Sequence, residues 1–167
     1  MKVTWATLED LEQIYGLEIR CFPPGVAEER QVIRKRIETC PDNFVLVWDE
    51  GKLAAFVNGI GSSLRDLSDD MFTGEYLHDP EGDWKMMLSV GTDPKYRGRG
   101  LAGKAILRFV SWAKEKGRKG VVLTCREPLL PFYARFGFKN EGLSKSRHGD
   151  EEWYQMRLTF PESPAVP

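Results

Sequence analysis

The chain has 167 residues, with 24 lysines and arginines against 25 aspartates and glutamates and a formal net charge of −1. This length fits one domain of roughly 100–200 residues, which we place at residues 1–160 ahead of a loose tail at residues 161–167. The balanced charge argues against a nucleic-acid partner, and the absence of any apolar run near the roughly 18 residues of a membrane span argues against a membrane partner.

The first part of the chain predicts a strand followed by two helices. Lys2–Ala6 alternates as an edge strand does. Thr7 and Asp10 form the pattern of a helix capping box, and the helix that follows is broken by the run Phe22–Gly25. A second helix is predicted over Ala27–Thr39, with its inward positions at Val32, Ile33 and Ile37.

The middle of the chain predicts a hairpin and then a central strand. Asn43–Trp48 and Lys52–Ile60 read as strands on either side of the turn Asp49–Gly51. Gly61–Asp83 is polar and irregular. Trp84–Thr92 is apolar enough for a buried strand, and a proline follows it.

The last part predicts a helix from a glycine-rich turn to about Lys116, with an inward face of Leu101, Ala105, Leu107, Phe109 and Val110. A strand, a short helix and two further strands follow, at Val121–Cys125, Leu129–Phe136, Phe138–Leu143 and Glu152–Phe160. One βαβ crossover is visible among the predicted elements. The fold class is therefore α/β (α+β), with a mixed and partly antiparallel sheet.

The glycine-rich turn, Lys95–Lys104, carries the first chemical signal. Glycines let backbone N–H groups converge on an anion, and the start of the next helix adds its positive end. Lys95, Arg97 and Arg99 add cationic charge. The segment is suited to a pyrophosphate.

Three motifs overlap in this turn. Gly98, Gly100 and Gly103 match the dinucleotide fingerprint GxGxxG, but a Rossmann domain needs more parallel strands than remain. A Walker A reading places Ala105 where a Mg²⁺-binding hydroxyl is required. The third reading is the coenzyme A loop of the GNAT superfamily, Gln/Arg-x-x-Gly-x-Gly/Ala, with Lys95 in the first position. Without further signals, a plain strand-to-helix turn explains the segment about as well.

A second motif favours the coenzyme A reading. Residues 125–138 read CREPLLPFYARFGF, which resembles a run in serotonin (arylalkylamine) N-acetyltransferases of the GNAT superfamily. The resemblance also includes Glu18, Cys21 and Phe22-Pro23 near the start of the chain, and it extends from Thr4 to Phe160.

The resemblance implies the GNAT fold, a mostly antiparallel sheet splayed between its fourth and fifth strands with helices on both sides. It implies acetyl-CoA as the co-substrate, bound in that cleft. Its pantetheine arm would pair with the backbone of Leu88, Ser89 and Val90. Its pyrophosphate would lie against Tyr96, Arg97, Gly98, Arg99, Gly100, Leu101 and Ala102.

By the same match, Tyr133 is the acid that reprotonates the departing thiolate. A phenol, with a pKa near 10, is protonated at neutral pH and is chemically suited to that role, although a packed aromatic residue would also fit the sequence. The histidine pair that serves as the base in the serotonin enzymes corresponds to Trp84 and Met86 here, and neither side chain accepts a proton. The base is left open among His78, Asp83, His148, Glu151 and an ordered water chain.

The acceptor is expected to be the amine of a small molecule, with an arylalkylamine as the first candidate. Phe22 and Pro23 align with a loop that encloses the amine in the resembling enzymes. An acidic segment could attract cationic amines, although a solvated loop would have the same composition; its members are Asp66, Asp69, Asp70, Glu75, Asp79, Glu81 and Asp83. Transfer to a protein amine, a coenzyme A-binding regulator without turnover and a nucleotide-binding protein are the alternatives.

The remaining expectations concern metals, compartment and assembly. Three scattered cysteines, Cys21, Cys40 and Cys125, favour free thiols in a reducing compartment. No metal is expected, because the chain has two histidines and no CxxC pair. Lys2 has no apolar run behind it, so no signal peptide is expected and the predicted location is cytoplasmic. Either a monomer or a homodimer is compatible with the sequence.

Overall fold

A computed structural model describes residues 1–74 and 76–162. Glu75 of the predicted acidic segment and all but the first two residues of the predicted tail, 161–167, lie outside these residues. The strands are β1 (Lys2–Trp5), β2 (Phe44–Asp49), β3 (Lys52–Ser62), β4 (Trp84–Thr92), β5 (Gly120–Cys125), β6 (Lys139–Leu143) and β7 (Tyr154–Thr159). The helices are α1 (Leu11–Cys21), α2 (Arg30–Thr39), α3 (Asp70–Thr73), α4 (Leu101–Glu115) and α5 (Leu130–Ala134).

One seven-stranded sheet runs through the domain in the order β1-β2-β3-β4-β5-β7-β6. Its strand pairs are antiparallel apart from β4 and β5, which are parallel and joined through α4. The predicted fold class and crossover are therefore confirmed.

The sheet opens between its two parallel strands. Trp84–Met87 of β4 pairs with Gly120–Leu123 of β5, and the pairing ends there although β4 continues to Thr92. Beyond Met87 the two strands diverge, which creates the predicted splay.

Helices cover both faces of the sheet. Helix α4 packs on one face, where its buried side chains join those of β2, β3 and β5 in one apolar cluster. Helices α1 and α2 pack on the other face against β2 and β3. A third cluster lies beside α3 and the start of β4. The two helical layers and the sheet meet at the splay.

Several sequence-based details are wrong. The segment Gly61–Asp83, expected to be irregular, contains the end of β3 and the short helix α3. Helix α2 begins at Arg30 instead of Ala27, because the Pro23 carbonyl accepts the Val26 and Ala27 N–H groups in a turn that precedes the helix. In α4, Leu107 is 59% exposed, whereas the neighbouring Ile106 is fully buried. The buried face of α4 consists of Leu101, Ala105, Ile106, Phe109 and Ala113. This is the spacing of an amphipathic helix whose apolar face is wide enough to include adjacent positions.

Candidate active site

Two connected cavities occupy the splay. The outer cavity, of about 510 Å³, runs from the glycine turn to α5. The inner cavity, of about 90 Å³, lies between β4, β5 and the loop after α1. Four residues line both cavities, namely Phe22, Val90, Leu129 and Tyr133. The cleft is therefore continuous from the glycine turn to the inner end of the splay.

A β-bulge in β4 shapes the inner cavity. Asn58 of β3 pairs with Ser89, but the next residue, Gly59, pairs with Met87, so Leu88 is an extra residue in β4. Side chains alternate across a regular strand, and an extra residue reverses that alternation beyond it. Met87 packs on the α4 face, while Ser89 is turned toward α1. The bulge thus places the Ser89 hydroxyl on the wall of the inner cavity.

The glycine turn forms the other end of the cleft. Gly98 and Gly100 adopt left-handed backbone conformations, with φ of 81° and 73°, and Gly100 immediately precedes α4. The first N–H groups of a helix have no partner within it, so this terminus can receive an anion. The predicted residues Tyr96, Arg97, Gly98, Gly100, Leu101 and Ala102 line the outer cavity.

The other residues predicted to bind the cofactor differ in their positions. Leu88, Ser89 and Val90 line the inner cavity, and Val90 also lines the outer one. The Arg99 guanidinium instead lies 3.5 Å from an Asp49 carboxylate oxygen and over the Tyr96 ring. Arg99 is therefore directed away from the cleft lining toward the β2–β3 hairpin.

Tyr133 lies where the two cavities meet. Its ring packs edge-on against Phe132 and Phe138, and 7% of the residue is exposed. Burial raises the pKa of its phenol well above the usual range, with the nearby Cys125 thiol as a second cause. The phenol therefore keeps its proton at neutral pH.

A buried carboxyl stands behind Ser89. The Ser89 hydroxyl donates to both carboxylate oxygens of Glu18, at 3.2 and 3.1 Å, and the Glu28 N–H donates to one of them at 2.9 Å. Glu18 is 1% exposed. Burial raises the pKa of Glu18 to about 8, and the negative charge of Glu28 adds to the increase. A carboxyl with that pKa can accept a proton near neutral pH.

Glu18 entered the sequence-based predictions only through the family resemblance, and its burial beside Ser89 was not predicted. The residue follows Leu11, Ile14 and Leu17 on the buried face of α1, so its helical spacing indicates an acid directed into the protein. Its contact with Ser89 depends on the bulge at Leu88, which no local pattern predicts.

The β6–β7 loop, residues 144–153, closes one side of the inner cavity. The Nε2–H of His148 donates to the Val26 carbonyl at 2.9 Å, and the His148 ring stacks on Phe72 at 4.2 Å. The Trp153 indole N–H donates to the His148 carbonyl at 2.7 Å. Gly149 packs against Val26 so closely that a Cβ there would lie 2.5 Å from it. The loop therefore joins the C-terminal side of the splay to the segment after α1.

The other candidate bases lie elsewhere. The Nδ1 of His78 accepts from the Gly61 N–H at 2.8 Å, and His78 lines a separate cavity beside α2. Asp83 pairs with Lys119 at the start of the parallel strands. Glu151 pairs with Arg126 and does not line the inner cavity. Among these candidates the structure brings His148 alone to the inner cavity.

The predicted acceptor residues are also separated. Phe22 lines both cavities, whereas Pro23 is exposed and contributes its carbonyl to the turn that precedes α2. Several acids of the predicted attractive segment are engaged in structure: Asp66 pairs with Arg157 at 2.6 Å, and Asp69 accepts the Arg147 N–H at 3.1 Å. These two carboxylates therefore hold strand β7 and the β6–β7 loop in place.

Within residues 1–74 and 76–162, no helix has the length and apolar character needed to cross a membrane. The same residues contain no group of three or more histidine, cysteine or acidic side chains positioned to hold a metal ion.

Comparisons with known proteins agree with this geometry. A sequence model of the acetyltransferase (GNAT) family matches residues 11–138. The serotonin N-acetyltransferase of Mesocricetus auratus is 27% identical over 111 residues, which are 66% of this chain and 52% of that enzyme. The chain thus spans about half the length of this relative.

Solved structures share the whole fold. The loading GNATL domain of CurA from Lyngbya majuscula has a TM-score of 0.83 at 18% identity, covering 95% of this chain and 96% of that one. The GphF GNAT-like decarboxylase in complex with isobutyryl-CoA has a TM-score of 0.78 at 18% identity, covering 95% and 99%. These similarities establish the fold of the chain.

Proposed function

The chain belongs to the acetyltransferase (GNAT) family, and on that premise we propose that it transfers the acetyl group of acetyl-CoA to the amine of a small molecule, with an arylalkylamine as the preferred class. The observation that carries the proposal is the inner cavity. Ser89, which leads to the Glu18 carboxyl, and Tyr133 both line it, so a proton acceptor and a proton donor serve one small space.

The cleft supports acetyl-CoA as the co-substrate. The outer cavity begins at the left-handed glycines and the N-terminus of α4, where a pyrophosphate would find backbone N–H groups and Arg97. Val90 and Tyr133 line both cavities, and the thioester would reach the inner cavity beside them. The β4 backbone that faces the splay has no partner strand beyond Met87, so a pantetheine arm could pair with it.

The proton balance follows from the two titratable groups. An alkylamine has a pKa near that of lysine, about 10, and must lose a proton before its nitrogen attacks the carbonyl carbon. In our proposal that proton passes through the Ser89 hydroxyl to Glu18. A C–N bond forms as the C–S bond breaks, and the Tyr133 phenol donates its proton to the departing thiolate. The second proton of the attacking nitrogen leaves as the amide forms and restores the Tyr133 phenol. Backbone N–H groups near Leu88 and Ser89 would stabilise the developing oxyanion.

The size of the inner cavity favours a small acceptor over a protein amine. Its walls include the aromatic rings of Phe22, Phe72 and Trp153, and the β6–β7 loop reaches Val26 on its far side. A polypeptide acceptor would need an open channel at this position. A compact amine with an apolar body fits these walls better.

Binding and turnover test the proposal. Acetyl-CoA should raise the melting temperature of the full chain, whereas NADH and ATP should not. Thiol release should then depend on an added amine, with phenylethylamine or tryptamine more effective than spermidine or a peptide with a free N-terminus. Stabilisation by acetyl-CoA without thiol release for any amine would overturn the catalytic claim.

Replacing the proton donor provides the chemical test. Tyr133→Phe should lower kcat by about 100-fold, since general acid catalysis contributes 10²–10⁴. Tyr15→Phe is the matched control, because Tyr15 belongs to α1 and packs against a different apolar cluster. Equal turnover of Tyr133→Phe and the wild type across the pH range would exclude the acid role.

A further inference from the structure

Three buried charged groups lie at the inner cavity, where an apolar core would be ordinary; Glu28 lines the cavity, whereas Glu18 and Arg36 lie behind it. Glu18, Glu28 and Arg36 are 1%, 4% and 5% exposed. They come from α1, from the segment before α2 and from α2 itself. Charged side chains are rarely buried to this degree unless they are paired, so their arrangement calls for an explanation.

The contacts connect these groups into one chain. The Arg36 guanidinium donates to the Glu28 carboxylate, to the Met71 carbonyl and, at 2.9 Å, to the Asn58 side-chain oxygen. The Glu28 N–H donates to Glu18. Asn58 is the β3 partner of Ser89 in the sheet. Arg36 thus anchors Glu28, and Glu28 in turn holds the carboxyl that accepts from Ser89.

Stability alone does not account for this arrangement. Replacing a buried ion pair with apolar residues of similar volume is often neutral or stabilising, because desolvation offsets the attraction between the charges. Here the pair lies beside a second carboxyl, that of Glu18, which contacts the wall of the inner cavity through Ser89. Two carboxylates share one guanidinium, so the cluster has one negative charge in excess when both are ionised.

We propose that the Glu28–Arg36 ion pair is a positioning pair, which holds Glu18 against Ser89 and sets the pH at which Glu18 takes up its proton. This inference rests on the proposed function, because it assigns the control of the base in that reaction. The negative charge of Glu28 disfavours a second negative charge on Glu18, and the positive charge of Arg36 favours it. The other groups that face Glu18 are the Ser89 hydroxyl and the Cys21 thiol.

The two members of the pair therefore have opposite effects, and this makes the inference testable. Glu28→Gln removes the negative charge beside Glu18, and Glu18 is then the carboxyl that the positive charge of Arg36 favours in its ionised form. Glu18 should therefore ionise at lower pH. Arg36→Met removes the cation, so Glu18 should ionise at higher pH. The double variant removes both charges, so the pH at which Glu18 ionises should return close to its value in the wild type. A charge within about 4–6 Å moves a titration by about 1–3 pH units.

The measurement is the pH dependence of kcat/KM for acetyl transfer to phenylethylamine, from pH 6 to 10, with the full chain. The amine contributes the same titration to every variant, so it cancels in the comparison. We expect the acid limb to move down by about 1 pH unit in Glu28→Gln and up by about 1 in Arg36→Met. Arg34→Met is the matched control on the same helix, since Arg34 is exposed and pairs with Glu38, and its profile should coincide with the wild type.

A second readout separates this inference from the proposed function. Infrared difference spectra should contain the carbonyl band of a protonated buried carboxyl that disappears in Glu18→Gln, and its titration should move in the same two directions. If Glu18→Gln keeps the wild-type acid limb, the assignment of the base fails. If Glu18→Gln loses that limb but the two pair variants lower kcat without moving it, the pair is merely structural and the inference is overturned, while the proposed function stands.

Discussion

The protonation of Glu18 should be visible in the stability of the protein, before any reaction is measured. Glu18→Gln keeps the size and one accepting oxygen of the side chain but removes its titration. In the folded protein the pKa of this carboxyl rises from 4.5 to about 8. The unfolded chain should titrate near the lower value, so the two states bind different numbers of protons between these pH values.

The sign and size follow from linkage. A group whose pKa is raised by folding stabilises the folded state fully below the unfolded pKa, and that stability is lost as the pH rises through the folded pKa. For Glu18 the loss occurs between about pH 4.5 and pH 8. Each pKa unit corresponds to 1.36 kcal/mol, so the free energy of unfolding of the wild type should fall by about 3 kcal/mol relative to Glu18→Gln between pH 5 and pH 8.

Urea denaturation at a series of pH values provides the measurement. The difference between the wild type and Glu18→Gln is plotted against pH, so other titrating groups cancel. Glu12→Gln is the control on the same helix, because the Glu12 side chain is 69% exposed and its contact is a surface ion pair with Arg30, so its effect on stability should be much smaller. A flat difference for Glu18→Gln would refute the reasoning, because the carboxyl would then titrate alike in the folded and unfolded chain.

Two further variants test the ends of the cleft. Gly100→Val forces a β-branched residue into a left-handed conformation beside the proposed pyrophosphate site, and it should weaken acetyl-CoA binding at least tenfold. Gly117→Val has the same strain at the far end of α4, with φ of 76° and open space for a Cβ, so it should lower the melting temperature similarly but leave acetyl-CoA affinity intact. Equal affinities in the two variants would contradict the site. His148→Ala removes a wall of the inner cavity and should raise kcat/KM for tryptamine relative to phenylethylamine, whereas His78→Ala should not; an unchanged ratio in His148→Ala would remove the loop from acceptor selection.

Local patterns in the sequence predicted the elements of this fold well. Strand β4 has the predicted bounds, and the glycine turn precedes α4 as expected, because turn residues and apolar alternation act over a few positions. The fold class and the GNAT resemblance are confirmed. The error at Leu107 is one of helical periodicity, because Leu107 lies on the side of α4 away from the buried stripe and its side chain is therefore exposed.

The candidate site was less accessible to sequence reasoning. The motifs led to Tyr133 and the glycine turn, since these residues lie in continuous segments with a known spacing. Glu18 and Ser89 are 71 positions apart, and they meet because one extra residue in β4 reverses the direction of its side chains. Arg36 occupies a buried position of α2 that the composition of the helix does not suggest. Such contacts depend on register and packing, which the spacing of residues along the chain leaves undetermined.

The short pairing between β4 and β5 has a consequence for the stability of β4 as well as for chemistry. Past Met87 the backbone of β4 has an edge inside the domain, and an unpaired edge is a place where other strands can add. The outer cavity runs along this edge and is lined by the glycine turn, the start of α4 and α5, so a bound chain can lie beside the strand. A ligand that lies along this edge therefore takes the place of a partner strand. The amide hydrogens of β4 beyond Met87 should exchange more slowly with solvent as the concentration of that ligand rises.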